Sequence, residues 1–173
     1  MNNNKKIKLG KLNFYVIDNN YINYLSQFDK HIAYNKNQKR PYIGVLILVE
    51  DYFYFAPLFS PKPKHKTYKD NLSFFKIINK KNKSDLGIIP VPQECVSLLD
   101  IKSKSYTYKR LLSEQYSYIN IPKNRMKILD KAKRLYNIVV KSQENKMSKF
   151  YKDLSCDFKL LEEKCIEYHI NIK

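Results

Sequence analysis

Three glycines in 173 residues, at positions 10, 44 and 87, cannot build a glycine-rich phosphate loop or a dinucleotide-binding fingerprint. Three cysteines, at 95, 156 and 165, form no C-x-x-C pair and are too few for a disulfide scaffold, so a reducing compartment is expected. Cys156, Cys165 and His169 fall short of the four ligands that structural zinc wants, and Cys165 lies on an apolar helical stripe; no metal and no cofactor are expected. Carboxylates are scarce in the first half and do not recur where adjacent strands would pair them, which disfavours two-metal phosphodiester cleavage. The longest apolar run, Ile43 to Val49, is too short to span a bilayer, and the polar start M-N-N-N-K-K lacks the apolar core of a signal peptide. A soluble cytoplasmic protein without a membrane partner is expected.

Acids are also few against bases: 16 Asp and Glu face 33 Lys and Arg, a formal charge of +17. Such a charge favours a polyanion, either nucleic acid or an anionic membrane surface. Lys, Asn, Ile and Tyr share A/T-rich codons, so the position of the charge says more than its total. Residues 60 to 83 hold eight lysines and one acid, Asp70, whereas the C-terminal helical stretches mix signs.

The chain length suits one domain. Residues 1–10 read as a flexible polar tail and 11–173 as the domain. Lys11 to Ile17 alternates as a strand, and Asp18 suits the N-cap of a short helix carrying Tyr21, Tyr24, Leu25 and Phe28. Tyr42 to Val49 reads as one continuous buried strand, which Glu50-Asp51 turns back into Tyr52 to Leu58 as an antiparallel hairpin. Further strands are expected at Leu72 to Ile78, Leu86 to Ile89 and Cys95 to Leu99, with an exposed turn at Lys80 to Ser84 and a proline-rich connection through Pro90 and Pro92. From Tyr106 the period becomes helical. Leu111, Leu112, Tyr116 and Ile119 mark one helix; Met126 to Val140 a second that Pro122 can start; Phe158, Leu161, Cys165 and Tyr168 a last one capped by Asp157. The fold class expected is α+β: a compact, curved antiparallel sheet or barrel with added helices, mainly C-terminal.

The stretch with chemistry in it is Tyr52 to Lys66, an aromatic strand that runs into a polar basic loop. Pro57, Pro61 and Pro63 fix φ and remove backbone donors, so the loop is stiff and extended. Ser60, Lys62, Lys64, His65 and Lys66 crowd into it, and preorganised positive charge is what phosphoryl chemistry most needs. A serine-hydrolase reading fails for want of a G-x-S-x-G elbow and of an acid beside His65. No helix-turn-helix pattern supports a DNA-binding regulator, and no DNA partner is expected. Fifteen tyrosines exceed the needs of a core this size. Most belong to apolar stripes, but Tyr34 has no stripe to join; it and Tyr21 are the best candidates to meet RNA bases or phosphates. A non-catalytic RNA-binding β-domain, whose basic loop only grips phosphates, is the competing reading.

A-P-L-F-S-P-K at Ala56 resembles a segment of the toxins of type III toxin–antitoxin and abortive-infection systems, the ToxN/AbiQ endoribonucleases. The likeness continues through F-Y-V-I at Phe14, R-P-Y-I-G-V at Arg40, D-L-G-I-I at Asp85, V-S-L-L-D at Val96, Y-K-R-L-L at Tyr108 and L-L-E-E-K at Leu160, in the family's order. The resemblance implies a MazF/Kid-like barrel elaborated with helices, and a metal-independent endoribonuclease active in phage defence. RNA supplies its own nucleophile, the 2′-hydroxyl, so the products would carry 2′,3′-cyclic phosphate and 5′-hydroxyl ends. Lys62 would stabilise the phosphorane-like charge or act as the acid, and Ser60 would position the phosphate. The family likeness adds Tyr21, Tyr34 and Arg40 to the catalytic candidates. It also implies a pseudoknotted repeat RNA antitoxin that the toxin processes, with which it closes into a protein–RNA ring, and cellular or phage RNA as substrate. Lys64, His65, Lys66, Lys69, Lys80, Lys81, Lys104, Lys109 and Arg110 are the residues expected to grip RNA.

Overall fold

The computed structural model describes residues 10–49, 52–59, 71–77, 82–85 and 88–172. In chain order these form β1 (Asn13–Ile17), α1 (Asn19–Leu25), β2 (Tyr42–Gly44), β3 (Leu48–Val49), β4 (Tyr52–Phe59), β5 (Phe74–Ile77), β6 (Asn82–Asp85) and β7 (Ile89–Val91). A single 3₁₀ turn (Gln93–Cys95) leads into β8 (Val96–Leu98), and α2 (Tyr106–Asn120), α3 (Pro122–Lys141), α4 (Lys146–Leu154) and α5 (Phe158–Asn171) complete the α+β fold.

β4 is the axis of the sheet. β3 and β2 pair along one of its edges, and β7 and β6 along the other, all antiparallel. The main path runs β5-β6-β4-β2-β1-β8. Among the described residues β5 and β8 do not pair with each other, so of the expected curved sheet or barrel the sheet is open and the closed barrel is corrected. The expected hairpin is present, but its first strand is interrupted. Ile43 stands opposite Ala56 and Leu48 opposite Phe53, so Gly44 to Ile47 face only Tyr54 and Phe55. The surplus residues form a bulge, and there the bare Cα of Gly44 lies against the Phe55 ring, which occupies the space a Cβ would need.

Two other boundaries move. Asn82 to Ser84, expected within an exposed turn at Lys80 to Ser84, belong with Asp85 to β6, which joins β5 to β4; Lys80 and Lys81 lie outside the described residues. Of the strand expected at Leu86 to Ile89, Leu86 and Gly87 lie outside the described residues; the strand described there, Ile89–Val91, includes Pro90. Proline is tolerated because, among the described residues, β7 pairs only with β4, an edge position that demands no second ladder.

Helix ends follow local chemistry. Asp18 caps α1 by accepting from the Asn20 amide, Pro122 opens α3, and Asp157 accepts from the Leu160 amide at the start of α5. Asn145 and Ser148 form a reciprocal capping box for α4, a helix not among those expected although Met147, Phe150, Tyr151 and Leu154 recur at helical spacing.

The buried side chains form one cluster that spans sheet and helices. At its centre Tyr54 of β4, Tyr136 of α3 and Phe158 of α5 pack as an aromatic triad, with Tyr136 and Phe158 stacked at 5.7 Å. Glu162 serves this triad. Its buried carboxylate accepts from the Tyr54 hydroxyl at 2.5 Å and the Tyr136 hydroxyl at 2.7 Å, and its other oxygen accepts from Lys159 Nζ at 2.8 Å. Burial pushes the Glu162 pKa up, but these three donors outweigh it and hold it below the ordinary value. The sequence pattern places Glu162-Glu163 on a solvated face; for Glu162 the structure corrects this, because three donors satisfy the carboxylate inside the core.

Candidate functional site

The 60–70 segment, with Ser60, Lys62, Lys64, His65, Lys66 and Lys69, lies outside the described residues, but both of its ends are described. Each end is held by a buried cation. At the entry, Arg40 Nε donates to the Tyr34 carbonyl at 2.6 Å and its Nη1 to the Leu58 carbonyl at 3.2 Å, while the guanidinium sits 4.3 Å from the Phe59 ring centroid. The planar fork thus ties the loop after α1 to the last residues of β4, directly before Ser60. Burial lowers the Arg40 pKa from its ordinary value, with the neighbouring Tyr42 acting in the opposite sense; the group starts so high that it stays charged.

At the exit, Lys131 reaches from α3 and donates to the Asn71 carbonyl at 2.8 Å and the Phe74 carbonyl at 2.9 Å. Asn71 in turn accepts from the Ser73 amide and hydroxyl through its side-chain oxygen, so the turn into β5 is fixed from inside. Hydrogen bonds to a charged group are worth about 1.5–3 kcal/mol each, which makes both anchors firm.

The loop between α1 and β2 is built around Asn35. Its buried side-chain amide nitrogen donates to the Ile17 carbonyl at 3.0 Å, and its backbone carbonyl accepts from the Arg40 amide at 3.1 Å. Between these anchors Lys36, Asn37 and Gln38 have φ of 53°, 52° and 63°, three consecutive non-glycine residues in the left-handed region. Side chains pay about 1–2 kcal/mol per residue there, so the turn is strained. It projects Lys36 and Lys39 into solvent beside Tyr34, whose ring is 67% exposed.

The expected site residues therefore separate. Tyr34 and Arg40 come together beside the start of the basic loop, Tyr34 outside and Arg40 inside. Tyr21 does not join them at the surface: it is fully buried, its hydroxyl donates to the Pro90 carbonyl at 2.7 Å, and its ring meets Tyr168 edge-on at 5.0 Å. Burial, then the nearby Cys165, pushes its pKa well above the ordinary phenol value, so it is a neutral tie between α1, β7 and α5. Lys104 and Lys109 are half-buried, and Arg110 is exposed but paired with Glu114 at 3.0 Å.

A pocket of about 110 Å³ opens at the end of β4, lined by Lys36, Lys39, Arg40, Phe59, Tyr108 and Gln115 among others. Sequence periodicity missed Gln115. It sits with Leu112 and Ile119 on the buried face of α2, and a polar residue on an apolar stripe was the available signal. Cys95 and Cys165 offer no nucleophile, since burial raises their thiols to about 12 and about 11. Among the described residues no group of three His, Cys, Asp or Glu side chains is placed to hold a metal ion.

The family model described as toxin ToxN of type III toxin–antitoxin systems matches residues 13–166. An endoribonuclease ToxN from Bacillus thuringiensis subsp. kurstaki is 32% identical over 90% of this chain and 83% of that protein. Among solved structures, one of a bacterial type III system with toxin inhibition by a non-coding RNA pseudoknot superposes with a TM-score of 0.81 at 29% identity, covering 92% of this chain and 99% of that one. Another, of AbiQ, a lactococcal anti-phage endoribonuclease of the same type of system, gives 0.77 at 28% identity, with the same coverage of both chains.

Proposed function

This chain belongs to the ToxN family of type III toxin–antitoxin toxins, and on that premise we propose that it is an endoribonuclease toxin that cuts RNA by 2′-hydroxyl attack without a metal ion. The observation that carries the reading is the Arg40 anchor. One buried guanidinium fixes both the Tyr34 loop and the strand end that delivers Ser60 and Lys62, so the groups offered to a phosphate start from a rigid base.

In this mechanism the 2′-hydroxyl attacks the adjacent phosphorus in line, its proton is taken up, and the 5′ oxygen leaves as a hydroxyl; the other product end is a 2′,3′-cyclic phosphate. Lys62 offsets the developing charge on the phosphoryl oxygens or protonates the leaving oxygen, and Ser60 donates a hydrogen bond that holds the phosphate. Tyr34, exposed beside the loop, stacks on or bonds to the nucleotide. Arg40 and Tyr21 act as positioning residues, since the Arg40 bonds run inward to carbonyls and Tyr21 is sealed in the core. Lys64, His65, Lys66, Lys69, Lys80, Lys81, Lys104 and Lys109 hold the backbone phosphates of a longer RNA. The inhibiting partner is a pseudoknotted repeat RNA that the toxin cuts from its precursor and with which it closes into a ring in the cytoplasm.

A timed cleavage assay tests this. Ser60→Ala and Lys62→Ala each lower the rate by about 10²–10³, the usual cost of losing a preorganised donor. EDTA leaves the wild type unaffected, and an RNA with a 2′-deoxy sugar at the scissile nucleotide binds but stays whole. Cleavage of the deoxy substrate, or loss of activity on chelation, would overturn the mechanism. A wild type that binds RNA and never cuts it would leave a phosphate-gripping β-domain.

A further inference from the structure

We propose that the pocket at the end of β4 reads one unpaired nucleobase beside the cleaved bond, and that Gln115 is the residue that reads it. The inference rests on the RNA-cleavage reading above and adds to it the group that selects where the cut falls.

Gln115 is 1% exposed, and its side-chain oxygen has no hydrogen-bond partner among the described residues. A buried amide oxygen left unpaired is costly and calls for an occupant. Gln115 is not stranded deep in packed hydrocarbon. It lines the small pocket, on the same face of α2 as Tyr108 and Leu111, which also line it. The other walls come from Pro41, Leu58 and Phe59. Lys36 and Lys39 stand exposed at the rim, and Arg40 is locked into the floor by its own bonds to Tyr34 and Leu58.

That is the composition a nucleobase wants: apolar and aromatic walls for the faces of a flat ring, one amide for its edge, and ammonium groups outside for the flanking phosphates. An amide side chain can accept from a base N–H through its oxygen while donating through its nitrogen to the neighbouring ring acceptor, which is how glutamine distinguishes bases. A peptide backbone is a poor alternative occupant, since a volume near 110 Å³ admits one flat ring or one side chain and no chain segment. Water is the serious one. At about 30 Å³ per molecule a few waters would fit and could satisfy the oxygen. Position favours the base: Leu58 and Phe59 immediately precede Ser60, so a ring held there belongs to a nucleotide at or next to the scissile phosphate.

The experiment uses four oligoribonucleotides that differ in a single base beside one cleavable bond, cut by the full-length protein. The wild type discriminates among them in kcat/KM by roughly ten- to a hundredfold, the range of a good amide–base pair. In Gln115→Met, which keeps the length and loses the amide, and in Gln115→Asn, which withdraws it by one methylene, the loss falls on the preferred base and the four rates converge. Thermal melts of both variants confirm folding, and either one suffices. A structural or water-binding Gln115 would change the melting temperature and leave the ranking intact, which would overturn the proposal. So would a wild type that cuts all four equally. A wild type that cuts none overturns the endoribonuclease reading itself, so the two failures are distinguishable.

Discussion

The two ends of the basic loop are anchored by the same idea with different chemistry. Arg40 at the entry uses a planar fork to join carbonyls from two segments far apart in sequence, and rests on Phe59 as it does so. Lys131 at the exit is a point charge on a long stem from α3, and both of its carbonyls, of Asn71 and Phe74, belong to one tight turn. The entry anchor therefore sets a relationship between two parts of the site. The exit anchor only docks one turn on the helices. Position is at stake in the first case and stability in the second.

The sharpest way to break this contrast is Arg40→Met. It removes the tie between the Tyr34 loop and β4, and a displacement of about 1 Å at a reacting centre can cost about 10² in rate. Single-turnover cleavage at saturating RNA is expected to fall by that order. Lys131→Met removes two charge-assisted hydrogen bonds, worth about 1.5–3 kcal/mol each, so the melting temperature drops clearly while the rate falls no more than about tenfold. If both variants lost rate and stability in the same proportion, the distinction between the anchors would be gone. Arg40→Lys sharpens it: charge remains but the fork does not, so activity should fall between wild type and Arg40→Met, with the RNA affinity barely altered.

The smallest effect concerns pH. Glu162 is a buried charge of opposite sign, and its folded pKa lies below the unfolded value of about 4.3. Its contribution is therefore fully present above that unfolded value and is lost as pH falls through the folded one. Denaturation curves below pH ~4.5 should show an acid limb that Glu162→Gln flattens, while cleavage at neutral pH is unchanged.

Local chemistry was legible. Asp18, Pro122 and Asp157 start their helices where side-chain type says they should, because a cap is decided within a few residues. The 42–58 hairpin was equally legible, since its apolar run and turn are contiguous. What failed depended on partners distant in the chain. The bulge at Gly44 arises from the register against Tyr54 and Phe55, and Pro90 fits a strand because, among the described residues, that strand has one neighbour. α4 was legible but not among the expected helices: Asn145 was available as a cap and Met147, Phe150, Tyr151 and Leu154 recur at helical spacing. At the site, the family likeness singled out Arg40, Tyr34 and Tyr21 without distinguishing their roles. Only the fold shows that Arg40 points inward, that Tyr34 stands outside and that Tyr21 is core.

The left-handed turn at Lys36-Asn37-Gln38 sets stability and function against each other at individual positions. Glycine would relieve the positive φ at each of them, so glycine substitutions there are candidate stabilising mutations on backbone grounds alone. At Gln38, which does not line the pocket, the relief comes at little chemical cost, whereas at Asn37 it removes the side-chain oxygen that accepts from the Tyr34 hydroxyl at 3.5 Å. At Lys36 the same change deletes an ammonium group from the pocket rim. A screen for thermostability and a screen for toxicity would therefore select opposite residues at position 36, though both act on one turn of the backbone.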